Sequence, residues 1–331
     1  MSAQRLLHDD AAPLSDSAIE DGSPNVSEQL SSRTLSDNLS AERTAILDSF
    51  HRDQLRWNHL DRVTLVWMLA MHAGAIAAPF FFEWRSLIIA VVLHWLTCSV
   101  GVCLAYHRCL SHGSFRLAPP VRFFVTLCGV LSGQGSPLTW VATHRVHHAR
   151  SDQGGDPHSP REGFWWSHLL WLFVSRSAAD RQRLYRVFAP DLVQDRMLQF
   201  FDRTYGLWLV SFAIALFAVG GWSLLLWGLC LRIVVGYHTT WLINSASHVW
   251  GYRNYETTDG SRNLWWAGLL AYGEGWHNNH HAWPREACYS HRWWELDLTW
   301  QTIRVLRLLG LATAVVQKSP FGRAREVSAT D

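Results

Sequence analysis

Half of the 18 histidines fall in four short clusters. These are His107-Arg-Cys-Leu-Ser-His112, His144-Arg-Val-His147-His148, Asn244-Ser-Ala-Ser-His248 and His277-Asn-Asn-His280-His281. On a helix, residues three and four apart share a face, with Cβ atoms about 5–6 Å apart. His144 with His148, His277 with His281, and Asn244 with His248 are each four apart, while His147 and His280 sit one position earlier and flank the same face. Two ligands so placed can hold one metal, and the odd one can reach a second. His107 and His112 are five apart, roughly 140° around an ideal helix. They share a face only if the helix ends between them, which Ser111–Ser114 with Gly113 allows. Neutral imidazole suits Fe, Zn, Cu and Ni. Nine nitrogens exceed the four ligands of a tetrahedral site and fit two metals.

The other histidines lack this spacing. His8, His51 and His59 lie in or beside the N-terminal tail, and His72 and His94 are single residues within apolar runs, where a neighbour satisfies them. His158, His168, His238 and His291 stand near the clusters and are candidates to orient a ligand through its other nitrogen. The polar loop Asp156-Pro157-His158 is placed to brace the second cluster. Rival chemistries find no support: HExxH and GxSxG are absent, and Gly273-Glu-Gly275 lacks the third glycine and the strand of a dinucleotide fold.

The elements that position these residues are apolar. Val63 to Phe82 and Leu87 to Tyr106 are each 20 residues without a charge, long enough to cross roughly 30 Å of hydrocarbon as helices. Between them lies a tight turn, Glu83-Trp-Arg-Ser86. Tyr205 to Leu231 is a 27-residue uncharged run broken at Gly220-Gly221-Trp222, and its later helix continues past Arg232 to Ser247. The simplest count is four transmembrane helices in two hairpins, with spans at 63–82, 87–106, 205–220 and 222–247. Val121–Ser132 is too short to span and reads as a dipping or core helix. Residues 107–204 hold 12 Arg against one, Arg85, in the hairpin turns. This bias places both termini and the middle segment in the cytoplasm. The clusters then lie at cytoplasmic span ends, where they can converge.

Composition agrees. Charged residues make up 17% of the chain and hydrophobic ones 49%, a charge deficit that suggests membrane. A net charge of +2 gives no nucleic-acid footprint. The six cysteines form no CxxC pair and read as buried thiols. Residues 1–39, without an aromatic residue or a signal-peptide core, read as a disordered cytoplasmic tail. Ser40-Ala-Glu-Arg offers the cap of a short helix running toward Trp57. Residues 40–315 read as the main domain and 316–331 as a C-terminal tail. The pairs at Trp165-Trp166, Trp265-Trp266 and Trp293-Trp294 suit a bilayer interface.

Together the clusters resemble those of the membrane fatty acid desaturases. His107–His112 matches the HxxxxH box, His144–His148 and His277–His281 the two HxxHH boxes, and Asn244–His248 the NxxxH element of delta-9-type, stearoyl-CoA desaturase-like members. Flanking residues agree, among them Asp156-Pro-His-Ser159, Gly163-Phe-Trp-Trp-Ser-His168 and Gly273-Glu-Gly-Trp-His277, and the likeness covers roughly residues 60–315. The resemblance implies an all-α integral membrane fold. Four spans form the stem of a mushroom, and a helical cytoplasmic cap (107–204 and 248–315) holds a His-rich dimetal site over an acyl tunnel. It implies His107, His112, His144, His147, His148, His248, His277, His280 and His281 as ligands of two irons, with Asn244 acting through a water. Gln134, Thr240 and Trp241 would line the tunnel bend.

Taking hydrogen from an unactivated CH₂ exceeds side-chain acid–base chemistry and calls for O₂ and a redox metal. Trp95, 12 residues before His107 and about 18 Å along a helix, is a candidate tunnel floor, with packing against neighbours or lipid as the alternative. Animal acyl-CoA members of the family carry Arg-Asp just before the second box. Here Ala142 and Thr143 stand there, which favours an acyl-lipid over an acyl-CoA substrate. No haem-binding HPGG segment is present, so electrons are expected from a separate ferredoxin or cytochrome b5. Two alternatives are a membrane di-iron hydroxylase, against which Asn244–His248 argues, and a His-lined metal transporter. The transporter would need its ligands near the bilayer midplane.

Overall fold

Asp61 opens the first long helix: its carboxylate accepts from the Thr64 amide at 3.0 Å, and the chain then runs helically through Arg62–Ala77 with a 3₁₀ extension over Ala78–Phe81. The computed structural model describes residues 40–317 and is mostly helical. The tail at 1–39 and most of the C-terminal tail lie outside the described residues. From Glu42 onward the chain forms one compact unit. Residues 42–48 are helical, but the expected run to Trp57 stops there. Ser49 turns its hydroxyl back to the Ile46 carbonyl at 2.6 Å, competing with the helix, and two 3₁₀ turns, Arg52–Gln54 and Trp57–His59, carry the chain onward.

Among the described residues, three stretches are long and apolar enough to cross a membrane: Arg62–Phe81, Trp84–Ser111 and Arg196–His248. Two outrun the uncharged segments that announce them. The second continues past Tyr106 to Ser111 and carries His107 within its last turns. The third starts at Arg196 because Asp195 accepts from the amides of Met197 and Leu198, nine residues ahead of Tyr205. Its backbone leaves helical geometry at Gly220 (φ −145°, ψ 19°) and Gly221 (φ 57°, ψ −151°). Gly221 occupies the left-handed region that glycine alone enters without penalty. Beyond the break the chain runs through a π segment, Leu226–Leu231, into Arg232–Ser245. Large apolar side chains such as Val63, Leu69, Ile76, Ile88, Leu207 and Ile214 stand exposed on these stretches, a surface that water would not tolerate at this extent.

Arg232 is buried among them. Its guanidinium donates to the Gly228 carbonyl, the Thr97 hydroxyl and the Leu131 carbonyl at 2.7, 2.7 and 2.9 Å. One side chain thus pins the second and third stretches to the end of the short helix Pro119–Val130. All six cysteines are free, and four of them are buried. His72 lies 2.7 Å from the Met68 carbonyl and 3.3 Å from His238, and His94 lies 2.6 Å from the Tyr272 hydroxyl. Far along the chain, Arg116–Leu117 pairs antiparallel with Ala312–Thr313, tying the C-terminal segment beside the first histidine cluster.

The Pro119–Val130 helix lies directly on the second apolar helix. A Cβ at Gly101 would come 2.4 Å from the Cys128 carbonyl carbon, and one at Gly129 would come 2.4 Å from the Tyr106 ring. Backbone therefore touches backbone, and Tyr106, next to His107, is seated by the contact. Gly101→Ala should cost about 1–3 kcal/mol through overpacking, read as a lower thermal midpoint of the detergent-solubilised protein.

Candidate metal centre

Four elements carry the nine histidines. The segment Trp95–Ser111 is wound as a π-helix, in which each amide bonds five residues back. The His112 amide accordingly donates to the His107 carbonyl at 3.2 Å. Five residues are close to one turn of such a helix, so His107 and His112 come to one side, with ring centroids 4.9 Å apart. Sequence spacing on an α-helix demanded an early stop between them. The helix does end at Ser111, but its winding is what aligns the pair. The second cluster sits on Pro137–Arg150, which Ser136 caps by accepting from the Thr139 amide. His248 closes a 3₁₀ turn, Ala246–His248, after the third stretch.

The last cluster rides a helix of six residues, His277–Ala282, too short to hold itself. Its two asparagines do that work. The Asn278 and Asn279 amides donate to the Asn263 side chain at 3.0 and 3.2 Å. Asn278 Oδ1 accepts from the amides of Asn254 and Tyr255, each at 2.8 Å. Asn279 donates to the Tyr289 carbonyl and to Glu295, both at 2.8 Å. All three asparagines 263, 278 and 279 are fully buried.

The nine imidazoles converge as two sets. His107, His112, His144, His148 and His280 offer nitrogens within 4.8 Å of one another, and so do His147, His248, His277 and His281. The helical pairs His144–His148 and His277–His281 thus go to different sets, and the odd members His147 and His280 each cross to the other. Nε2 faces Nε2 at 3.1 Å for His107–His280, 2.9 Å for His112–His144, 2.9 Å for His148–His280, 3.0 Å for His248–His277 and 3.4 Å for His147–His281. Two ligands each about 2.1 Å from a shared ion, at 90–109°, would stand about 3.0–3.4 Å apart. The donor set fits a metal ion in each group.

What aims the nitrogens is a carboxylate behind each of four rings. Glu274 lies 2.6 Å from His107 Nδ1, Asp156 3.0 Å from His147 Nδ1, Asp152 3.0 Å from His248 Nδ1 and Asp259 2.5 Å from His281 Nδ1. Each holds the proton on Nδ1 and leaves the Nε2 lone pair facing inward. Burial holds the imidazoles of His144, His148, His277 and His280 well below their ordinary range. Burial likewise outweighs Asp259 to push His281 down to about 4. These rings are therefore neutral near pH 7, the form that binds metal. Burial works against the charge of Asp156 and Asp259, yet contact with His147 and His281 holds both carboxyls below the usual range.

Sequence spacing had singled out only Asp156 among the four. Asp152 sits in the left-handed region, at φ 59°, and takes the Gly260 amide at 2.6 Å beside His248. Glu274 is itself held by Arg108, a fully buried arginine that also binds both oxygens of Asp297 at 2.8 and 3.1 Å and lies 3.9 Å from the centre of the Tyr289 ring. His158 packs its ring 4.4 Å from His147 and stands 3.9 Å from Asp156. His168 and His238 pair with each other at 3.0 Å, and His291 bonds Tyr255 and Glu286, all apart from the two sets.

A narrow cavity starts at His107, His144, His147 and His277 and runs between the helices to Cys98. Asn244 and Thr240 line it. Gln134 stands behind, donating to the Thr240 hydroxyl at 2.9 Å. Trp241 is buried and stacks on Tyr237, with centroids 5.0 Å apart. Trp95 does not line this cavity and is 40% exposed.

Comparison with known proteins gives one family. The model described as fatty acid desaturase matches residues 82–310. The chain is 45% identical over 270 residues to the sn-2 palmitoyl-lipid 9-desaturase of Nostoc sp. (strain 36), covering 81% of this chain and 93% of that protein. It is 43% identical to the sn-1 stearoyl-lipid 9-desaturase of Anabaena variabilis, covering 80% and 95%. It is 40% identical to the icosanoyl-CoA 5-desaturase of Limnanthes douglasii, covering 78% and 73%.

The division of ligands is testable. Asp152→Asn should weaken metal binding by the four-histidine set about 10–100-fold, and Glu274→Gln should do so for the five-histidine set, read by metal analysis of purified protein across a chelator series. Equal weakening of both sets by either change would contradict the division. Arg108→Leu removes the buried cation that Glu274 and Asp297 share and should cost about 3–5 kcal/mol, seen in the thermal midpoint.

Proposed function

The chain belongs to the fatty acid desaturase family, and from that premise we propose that it is a di-iron, O₂-dependent delta-9 desaturase acting on acyl chains esterified in membrane lipid. It is an oxidoreductase. The observation that carries the finer reading is the juxtaposition of two histidine sets with one end of a narrow, mostly apolar cavity. The nine histidines are the ligands, and Asn244, on the cavity wall beside His147 and His277, reaches a metal through a water. Iron bound there supplies the redox chemistry with O₂ that converts two adjacent CH₂ groups to a cis double bond.

The protein's own part is positional. Val102, Cys103, Ile243 and Trp140 hold a saturated chain by apolar contact and keep water from the reacting carbons. Gln134, bonded to Thr240, and Trp241 behind it shape the bend that presents one pair of carbons to the metals. The carboxylates behind His107, His147, His248 and His281 keep those ligands in one tautomer through each cycle. The overall reaction consumes O₂, two electrons and two protons and releases two waters, with the electrons brought by a separate ferredoxin or cytochrome b5.

The break at Gly220-Gly221 supports two membrane hairpins, and the arginine excess of 107–204 supports a cap and termini on the cytoplasmic side. Ala142 and Thr143 are buried within the Pro137–Arg150 helix, where an animal acyl-CoA enzyme would place a charged pair. That supports a lipid-borne substrate, as do the names of the two cyanobacterial relatives.

Expression in a host without desaturases, followed by analysis of double-bond position in each lipid class, tests this. New delta-9 unsaturation should appear first in glycerolipid, and His147→Ala or His280→Ala should abolish it. Unsaturation appearing first in the acyl-CoA pool would overturn the lipid assignment, and activity in both alanine variants would overturn the ligand assignment.

A further inference from the structure

The cavity has a far end, and the residues that form it have no part in metal binding. One wall is the second apolar helix, from His107 through Cys103 and Val102 down to Cys98. The facing wall descends through Asn244, Ile243, Thr240 and Thr239. One turn further the two helices meet, since a Cβ at Gly236 would fall 2.8 Å from Cys98 Sγ. On that side nothing longer can pass.

The third side is a loop. The Ala271 carbonyl sits 3.7 Å from Cys103 Sγ, and the Tyr272 carbonyl accepts from the Thr299 amide at 3.0 Å, while Thr299 bonds Ser99 at 3.2 Å. The loop backbone therefore lies level with Ser99 and Cys103. The Tyr272 hydroxyl, however, reaches His94 at 2.6 Å, more than a turn below. Its ring runs down the open side of the cavity past Cys98. The backbone there takes φ 56°, a left-handed geometry that is strained for a bulky residue, and the residue lines the cavity.

We infer that Tyr272, latched to His94, is the wall that sets how long an acyl chain fits beyond the metal centre. The inference rests on the reading that this cavity takes the acyl chain. In that role the ring is a specificity-determining residue, and the His94 contact keeps it from swinging aside when a longer chain presses on it.

The test uses the full chain in the desaturase-free host, supplied with a graded mixture of saturated acids. Tyr272→Ala should raise the ratio of longer to shorter unsaturated products by about 10-fold or more, the scale of discrimination that one or two methylenes command in an apolar pocket. Tyr272→Trp should move it the other way. Tyr272→Phe and His94→Ala, which keep the ring and remove the latch, should broaden the distribution. Unchanged product lengths in active Tyr272→Ala and Tyr272→Trp proteins would overturn the inference alone, whereas no double bonds from the unaltered chain would overturn the reading beneath it. Should Tyr272→Ala be inactive, Tyr272→Leu and Tyr272→Trp are judged by the same ratio. Loss of activity in all three would also overturn it, because a wall tolerates resizing.

Discussion

The structure depends on a buried imidazole being told which of its nitrogens to protonate. Four carboxylates do this, each bonded to the Nδ1 side of one ring. A buried carboxylate left alone would take up a proton or bring in water. A buried imidazole left alone would choose its tautomer by accident. Bonded together, each removes the other's ambiguity, and the Nε2 lone pairs are left to face one another. Much of the surrounding fold exists to bring those acids in. The turn after Arg150 places Asp152 and Asp156, the loop ahead of Ser261 places Asp259, and Arg108 anchors Glu274 against Asp297.

Helix geometry does the remaining work, partly by departing from the ordinary. A π-wound segment converts a five-residue spacing into a shared face, at the point where the second apolar helix leaves its uncharged stretch. A six-residue helix, which would not persist in isolation, is held by buried asparagines that sit between its own histidines. Both devices put rigid backbone beneath the imidazoles instead of a flexible loop, and both depend on neighbours far away in sequence.

That dependence explains what could be read from the chain directly. The histidine clusters were legible because i, i+4 spacing is a local property, whereas their division into a set of five and a set of four was not, since it depends on how four distant elements meet in space. The break at Gly220-Gly221 was legible because two glycines interrupt an otherwise uncharged run. Asp156 was visible through its closeness to the second cluster. Asp152, Asp259 and Glu274 were not, since a single acid in a loop carries no periodicity and its partner can be 166 or so residues away, as for Arg108 and Glu274. The π winding was equally hidden: nothing in Trp95–Ser111 departs from an apolar α-helical pattern. Arg232 ended an uncharged run on paper, whereas in space it is a buried strut satisfied by carbonyls and a hydroxyl.

The crossing of His147 and His280 has a further consequence. Each of the two HxxHH helices supplies imidazoles to both groups, so neither group can be ordered without fixing the helical turn that the other needs. A tilt or fray of either turn would therefore be felt in both groups at once, so the two short helices have to be held as a pair.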